Sequence, residues 1–197
     1  YVEDWSGKMP KVAAFWNLVA PQFKNNPYVI YEIYNEPIYP DDWNKWKSEI
    51  AQPAVDLVRG HAPDNLIIVG GPLWSAHMAG AIDNPIVGKN IVYTAHIYSN
   101  QWPSQITKNF GRSIEELPFF VTEWGFESGG TEGGNKSGYG VPFAQWMADH
   151  QFSWTVWCFD TRWGPRMFDS NWQLLSGDGG MGTFVQDLLL QNHLNNY

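Results

Sequence analysis

The sequence predicts an α/β fold in which a parallel sheet is covered by helices. Short, almost continuously apolar runs alternate with stretches of helical periodicity along the chain. Strands buried on both faces lose the apolar/polar alternation, and parallel strands need helical crossovers, so this pattern describes a parallel sheet. Polar residues also gather just past the apolar runs, at Asn35-Glu36, His96, Tyr98, Glu123 and Asp160. Both barrels and open α/β sheets build their sites at those strand ends. A doubly wound sheet and a closed barrel both fit.

The elements follow from local patterns. Residues 11–24 carry Val12, Phe15, Leu18 and Val19 at helical spacing. Residues 28–34 form a short β-rich run between Pro27 and Pro37. Residues 43–61 predict a helix ending near Gly60, with Pro53 forcing a kink or an irregular middle. Residues 66–69 are a fully apolar strand stopped by Gly70-Gly71, and residues 91–98 and 118–122 are further strands. Residues 143–150 predict a helix, 153–159 the last strand and 183–192 the closing helix. The glycine-rich stretch 129–140 lacks the ending of a phosphate loop and predicts a mobile surface loop. No GxGxxG follows a strand, which counts against dinucleotide binding.

Composition bounds the function. A chain of 197 residues suffices for one substantial core, so residues 1–197 are expected to form a single catalytic domain. The net charge of −8, with no Lys/Arg cluster, argues against nucleic acid, because phosphate binding needs a basic face. No apolar stretch is long enough to span a membrane. Cys158 is the single cysteine; it excludes an intrachain disulfide and, in an apolar run, predicts an inert buried thiol. His61, His77, His150 and His193 have no ligand spacing with any acid or cysteine, so no metal and no cofactor is expected. The 12 Trp, 9 Tyr and 11 Phe residues need a use, either core filling or flat platforms for sugar rings.

Two carboxylates on separate strand ends, each beside aromatic and amide groups, point to acid/base work. Tyr31-Glu32-Ile33-Tyr34-Asn35-Glu36-Pro37 and Val121-Thr122-Glu123-Trp124-Gly125 resemble the two signature segments of family 5 glycoside hydrolases. Residues 94–98 and 153–157 resemble that family's segments on strands six and eight, in the right order.

The resemblance implies a (β/α)8 TIM-barrel of which this chain holds about strands 4–8, with strands 1–3 absent. It implies Glu36 as acid/base and Glu123 as nucleophile, with Asn35 on the sugar 2-hydroxyl, Tyr98 holding the Glu123 carboxylate and His96 supporting the acid/base side. It makes Trp157 the floor under the reacting sugar. Trp124 follows the nucleophile and is expected at the substrate. Trp74 lines a subsite or packs in the core, and Trp163 and Trp172 sit in a long polar loop suited to ligand stacking. Glu32 shares strand parity with Glu36 and predicts a buried ion pair rather than a catalytic group.

A glycosidic bond leaves through a poor alkoxide, so an acid must deliver a proton. The oxocarbenium-like transition state is positive, so a carboxylate must face it. Retention further requires the two carboxyl groups to stand about 5–5.5 Å apart.

The expected activity is a retaining endo-β-1,4-glycanase acting on glucan, with a β-mannanase or a catalytically impaired carbohydrate-binding fragment as alternatives. The expected partners are a β-linked polysaccharide and either a second copy or a missing N-terminal piece completing the barrel. No signal peptide stands at Tyr1, and secretion is implied by the resemblance alone.

Overall fold

Residues 4–195 are described by the structure, a computed structural model. Five short strands follow one another in the sheet in chain order, β1 (Tyr31–Glu32), β2 (Ile67–Val69), β3 (Ile91–His96), β4 (Phe119–Glu123) and β5 (Ser153–Trp154). The chain divides into two compact units. The first holds residues up to 95 and 107–120, the second 96–106 and 121 onward, so the boundaries fall within β3 and β4.

In the first unit, β1, β2 and β3 pair in parallel, with Tyr31 opposite Ile67 and Ile67 opposite Ile91. Helix α1 (Met9–Phe23) starts with Pro10 in its first turn, where the missing N–H costs nothing. It buries Val12, Trp16 and Ala20, one face at a spacing of four. Two bonds tie that face to the sheet: Trp16 Nε1 donates to the Ile33 carbonyl at 3.1 Å, and the Tyr31 hydroxyl donates to the Ala20 carbonyl at 2.9 Å.

The irregularity expected at Pro53 has a definite form. Helix α2 (Trp43–Trp46), capped by the Asp42 carboxylate on Lys45 N–H, passes through a π-helical turn, Lys47–Ala51, into α3 (Gln52–His61). Proline cannot donate to the preceding turn. The chain widens there, and Gln52 N–H bonds back five residues to Lys47.

Beyond β2 the backbone enters α4 (Pro72–Ser75), four residues of helical turn in which Leu73, Trp74 and Ser75 have φ of 52°, 60° and 54°. Two short helices the sequence did not predict, α5 (Ile106–Phe110) and α6 (Ser113–Glu116), lead into β4. Tyr93 N–H donates to Pro118 there.

In the second unit, Ile97 N–H bonds the Glu123 carbonyl. Thr155 and Trp157 N–H groups bond the Val121 and Trp124 carbonyls, advancing in the same sense as in a parallel pair. Helix α7 (Val141–Asp149) follows a π-helical turn, Lys136–Gly140, and α8 (Gly182–Asn195) closes the described chain. The unit's core is aromatic: Tyr139 stacks on Phe143 at 5.0 Å, and Phe126 and Trp124 are fully buried beside them.

Three expectations change. The strand expected over 28–34 shrinks to two residues, because Asn26 caps a turn at Tyr28, whose ring is 92% exposed. The strand expected over 153–159 ends at Trp154. The glycine-rich stretch 129–140 is not a free loop. Ser99 Oγ bonds the Glu132 carbonyl, Lys136 N–H bonds the Asp178 carbonyl, and Tyr139 is buried.

Candidate active site

Glu123 ends β4, and a parallel ladder fixes its backbone between Ile97 and the β5 segment. Its side chain is 12% exposed, so each polar neighbour acts with little screening by water. The Tyr98 hydroxyl donates to Glu123 Oε2 at 2.9 Å. His96 Nδ1 lies 3.5 Å from the same oxygen, and its other ring nitrogen is 3.0 Å from Thr122 Oγ1. His96 is 1% exposed, and its Nε2 is within hydrogen-bond reach of the Thr122 hydroxyl. His96 and Tyr98 are two apart along an extended segment, which puts both on one face. Thr122 lies within the second signature segment, and its contact with His96 depends on tertiary placement that residue types do not show.

The segment after β5 carries the exposed aromatics. Trp157 is half-buried, and its carbonyl lies where a Cβ at Gly125 would be 2.3 Å away, so only glycine fits beside it. Trp163 is 70% exposed, with its ring centroid 5.7 Å from that of Trp157.

Three interactions fix that loop. Asp160 accepts the backbone N–H groups of Trp163 and Arg162, which hold its carboxyl below the usual range. Cys158 Sγ contacts the Trp163 carbonyl at 3.1 Å. Arg166 Nε bonds Glu127 Oε1 at 2.9 Å while its Nη1 donates to Thr161. Burial first, then the charges of Asp160, Glu123 and Glu127, push the Cys158 thiol up to about 11. Phe159, Phe168 and Trp172 form a second aromatic group, with Phe159 and Phe168 centroids 4.5 Å apart.

Trp124 is a correction. Its side chain is fully buried against Phe143 and Trp154, with centroids at 5.8 and 5.4 Å, so it offers no face to a sugar and is a core residue.

Asn35 and Glu36 belong to the first unit, a few residues beyond β1; Asn35 is exposed and Glu36 half-buried. Glu32 is half-buried on β1 itself. The α4 turn holds the segment by its backbone: Leu73 N–H donates to Ile38, Trp74 N–H to Pro37 and Ser75 Oγ to Asn35, at 3.1, 3.0 and 2.8 Å. A left-handed conformation costs about 1–2 kcal/mol per non-glycine residue, so these bonds and the packing around them must offset several kcal/mol. Trp74 emerges from the turn 43% exposed, edge-on to Tyr39 at 6.5 Å. That exposure makes it a surface aromatic, not a core residue.

The sequence model of the family described as "Cellulase (glycosyl hydrolase family 5)" matches residues 3–162. The chain belongs to glycosyl hydrolase family 5. Endoglucanase Z of Dickeya dadantii is 31% identical over 88% of this chain and 37% of its own length. Cellulase CelDZ1 of a Thermoanaerobacterium is 30% identical over 73% of this chain and 41% of its own. The chain thus spans only about two-fifths of these curated relatives. A solved β-glucanase of Saccharophagus degradans superposes with a TM-score of 0.82 at 22% identity, over 93% of this chain and 60% of that one, which shows the shared fold. Both signature segments, around Glu36 and around Glu123, fall inside the region that matches the family.

Proposed function

We propose that the chain carries the catalytic pair of a retaining endo-β-1,4-glucanase. The observation that carries this is the Glu123 carboxylate at the end of β4, gripped by Tyr98 and His96, in a family 5 chain. A carboxylate held in place and largely shielded from water can attack a carbon without first reorganising its surroundings.

In the first step a Glu123 oxygen bonds to the anomeric carbon as the bond to the leaving oxygen breaks, and Glu36 gives its proton to that oxygen. In the second, water bonds to the same carbon, Glu36 takes the water's proton, and the bond to Glu123 breaks. Asn35 serves the sugar 2-hydroxyl, and Trp157, Trp163 and Trp74 supply flat faces for sugar rings. Glucan is favoured over mannan because the relatives are named endoglucanase and cellulase. A substrate too large to enter a cell places the reaction outside it.

A second proposal concerns completeness. The five strands correspond to strands 4–8 of the barrel, and further barrel strands or a second copy cover the surface they leave open. It is supported by the 60% coverage of the solved relative and by α1, where Phe15 and Leu18 are 54% and 70% exposed. A cavity of about 260 Å³, lined by Val12, Phe15, Trp16 and Ile33 among others, lies on the same helix.

The test is hydrolysis of carboxymethylcellulose, mannan and xylan, with the anomeric configuration of the first product followed by NMR. Glucan cleavage with a β-configured first product is expected. An α-configured product would refute retention, and faster cleavage of mannan would change the substrate.

A further inference from the structure

We propose that Ser75 is a positioning residue for the acid/base, holding the Asn35-Glu36-Pro37 segment through the left-handed turn that follows β2; this rests on the role of Glu36 proposed above. Every contact in the argument lies within the first unit. In a right-handed turn at 73–75, the N–H groups of Leu73 and Trp74 would follow the turn axis in the other sense. With φ near +55° at three consecutive residues, they turn instead toward the neighbouring strand extension. There they meet the carbonyls of Ile38 and Pro37, on the far side of Glu36, while Ser75 Oγ meets the carbonyl of Asn35, on its near side. Glu36 is therefore bracketed by three bonds from one turn, and Ser75 supplies the only side chain among the three.

The surroundings fix that side chain. Ser75 is fully buried. A Cβ at Gly70 would stand 2.1 Å from its Oγ, so the hydroxyl rests on bare backbone and has one position. The Gly70 carbonyl is held in turn by Trp46 Nε1 at 2.8 Å. A Cβ at Gly71 would stand 2.3 Å from Met78 Sδ and 2.5 Å from the His77 carbonyl, which closes the other side of the turn. His77 Nδ1 bonds Asp41, giving the turn a second anchor beyond Pro37. The positive φ at these three residues is kept by close packing at Gly70 and Gly71 and by three bonds that end on the segment carrying Glu36.

General acid catalysis needs the proton delivered within hydrogen-bond reach of the leaving oxygen, and a shift of about 1 Å can cost around a hundredfold. The test compares the parent chain with Ser75→Gly and Ser75→Ala on a β-1,4-glucan and on a dinitrophenyl β-cellobioside, whose leaving group departs without a proton. Glycine at this φ relieves strain while removing the hydroxyl, so the Gly variant keeps its fold; alanine removes the hydroxyl and keeps the strain. Both variants should lose about tenfold or more in kcat on glucan with KM unchanged, and keep their rate on the activated glycoside. Equal loss on the two substrates, or parent-like glucan turnover in Ser75→Gly, would overturn the proposal.

If the parent hydrolyses neither substrate, amide hydrogen exchange decides the clamp by itself. The Leu73 and Trp74 amides should exchange about tenfold faster in Ser75→Gly than in the parent. Unchanged protection would show that the hydroxyl holds nothing.

Discussion

Tyr98 gives its phenolic proton to Oε2 of Glu123 at 2.9 Å, the oxygen that His96 Nδ1 also approaches. One carboxylate oxygen thus has two polar neighbours from a single extended segment. Tyr98→Phe removes one of them without changing the ring. A hydrogen bond to a charged group is worth about 1.5–3 kcal/mol, so kcat on glucan should fall roughly tenfold to a hundredfold. Steady-state kinetics with an unchanged melting temperature would check this; full activity in the variant would make the bond incidental.

The two glutamates should separate by leaving group. Glu123→Ala is expected to abolish turnover on every substrate. Glu36→Ala should retain activity on dinitrophenyl glycosides, where no proton is needed in the first step, and lose about 10²–10⁴-fold on glucan. Equal loss on both in Glu36→Ala contradicts the acid/base role.

Trp157 and Trp124 should behave in opposite ways. Trp157→Ala leaves a half-buried site and is expected to raise KM and lower turnover with little change in stability. Trp124→Ala opens a cavity in a fully buried aromatic core, and such truncations cost about 3–5 kcal/mol. Denaturant unfolding of both variants, beside their kinetics, distinguishes a platform from a core residue.

Cys158 should be slow to alkylate. Its thiol is pushed up to about 11, so the reactive thiolate is scarce at pH 8, roughly a hundredfold scarcer than for an ordinary cysteine. The rate with iodoacetamide should climb about tenfold per pH unit and level off only near that value. A plateau near pH 9 would show that the neighbouring carboxylates and burial do not act on it.

Light scattering should find the purified chain as a dimer or larger, or show that it becomes a stable particle only when further barrel strands are supplied. Exposed Phe15 and Leu18 on α1 leave apolar surface in water, at about 25 cal/mol per Å². A cooperatively unfolding monomer with full glucanase activity would refute the completeness proposal.

Much of this was legible in the sequence, and what was not has physical reasons. Apolar runs such as Ile67–Val69 announce buried parallel strands, and Pro53 announced a disturbance that became a π-helical turn. Both signals are local. Trp124 was misplaced because adjacency to Glu123 says nothing about which face of the chain a ring takes, and its partners Phe143 and Trp154 are about 20 and 30 residues away. The turn at Leu73-Trp74-Ser75 was invisible because nothing in those side chains favours positive φ. Gly70-Gly71 marked only the end of the strand, and what packs against those glycines is set by tertiary contact.

That turn also sets how freely this stretch of the gene can drift. At Gly70 and Gly71 the limit is space, since any side chain meets atoms within 2.1–2.3 Å. At Leu73, Trp74 and Ser75 the limit is the dihedral angle, and there glycine is the substitution the backbone would welcome. Two neighbouring blocks therefore follow opposite rules, one closed to everything but glycine and the other relieved by it. A glycine at 73 or 74 would be thermodynamically comfortable and still a loss, because it would slacken the frame around the Asn35-Glu36-Pro37 segment.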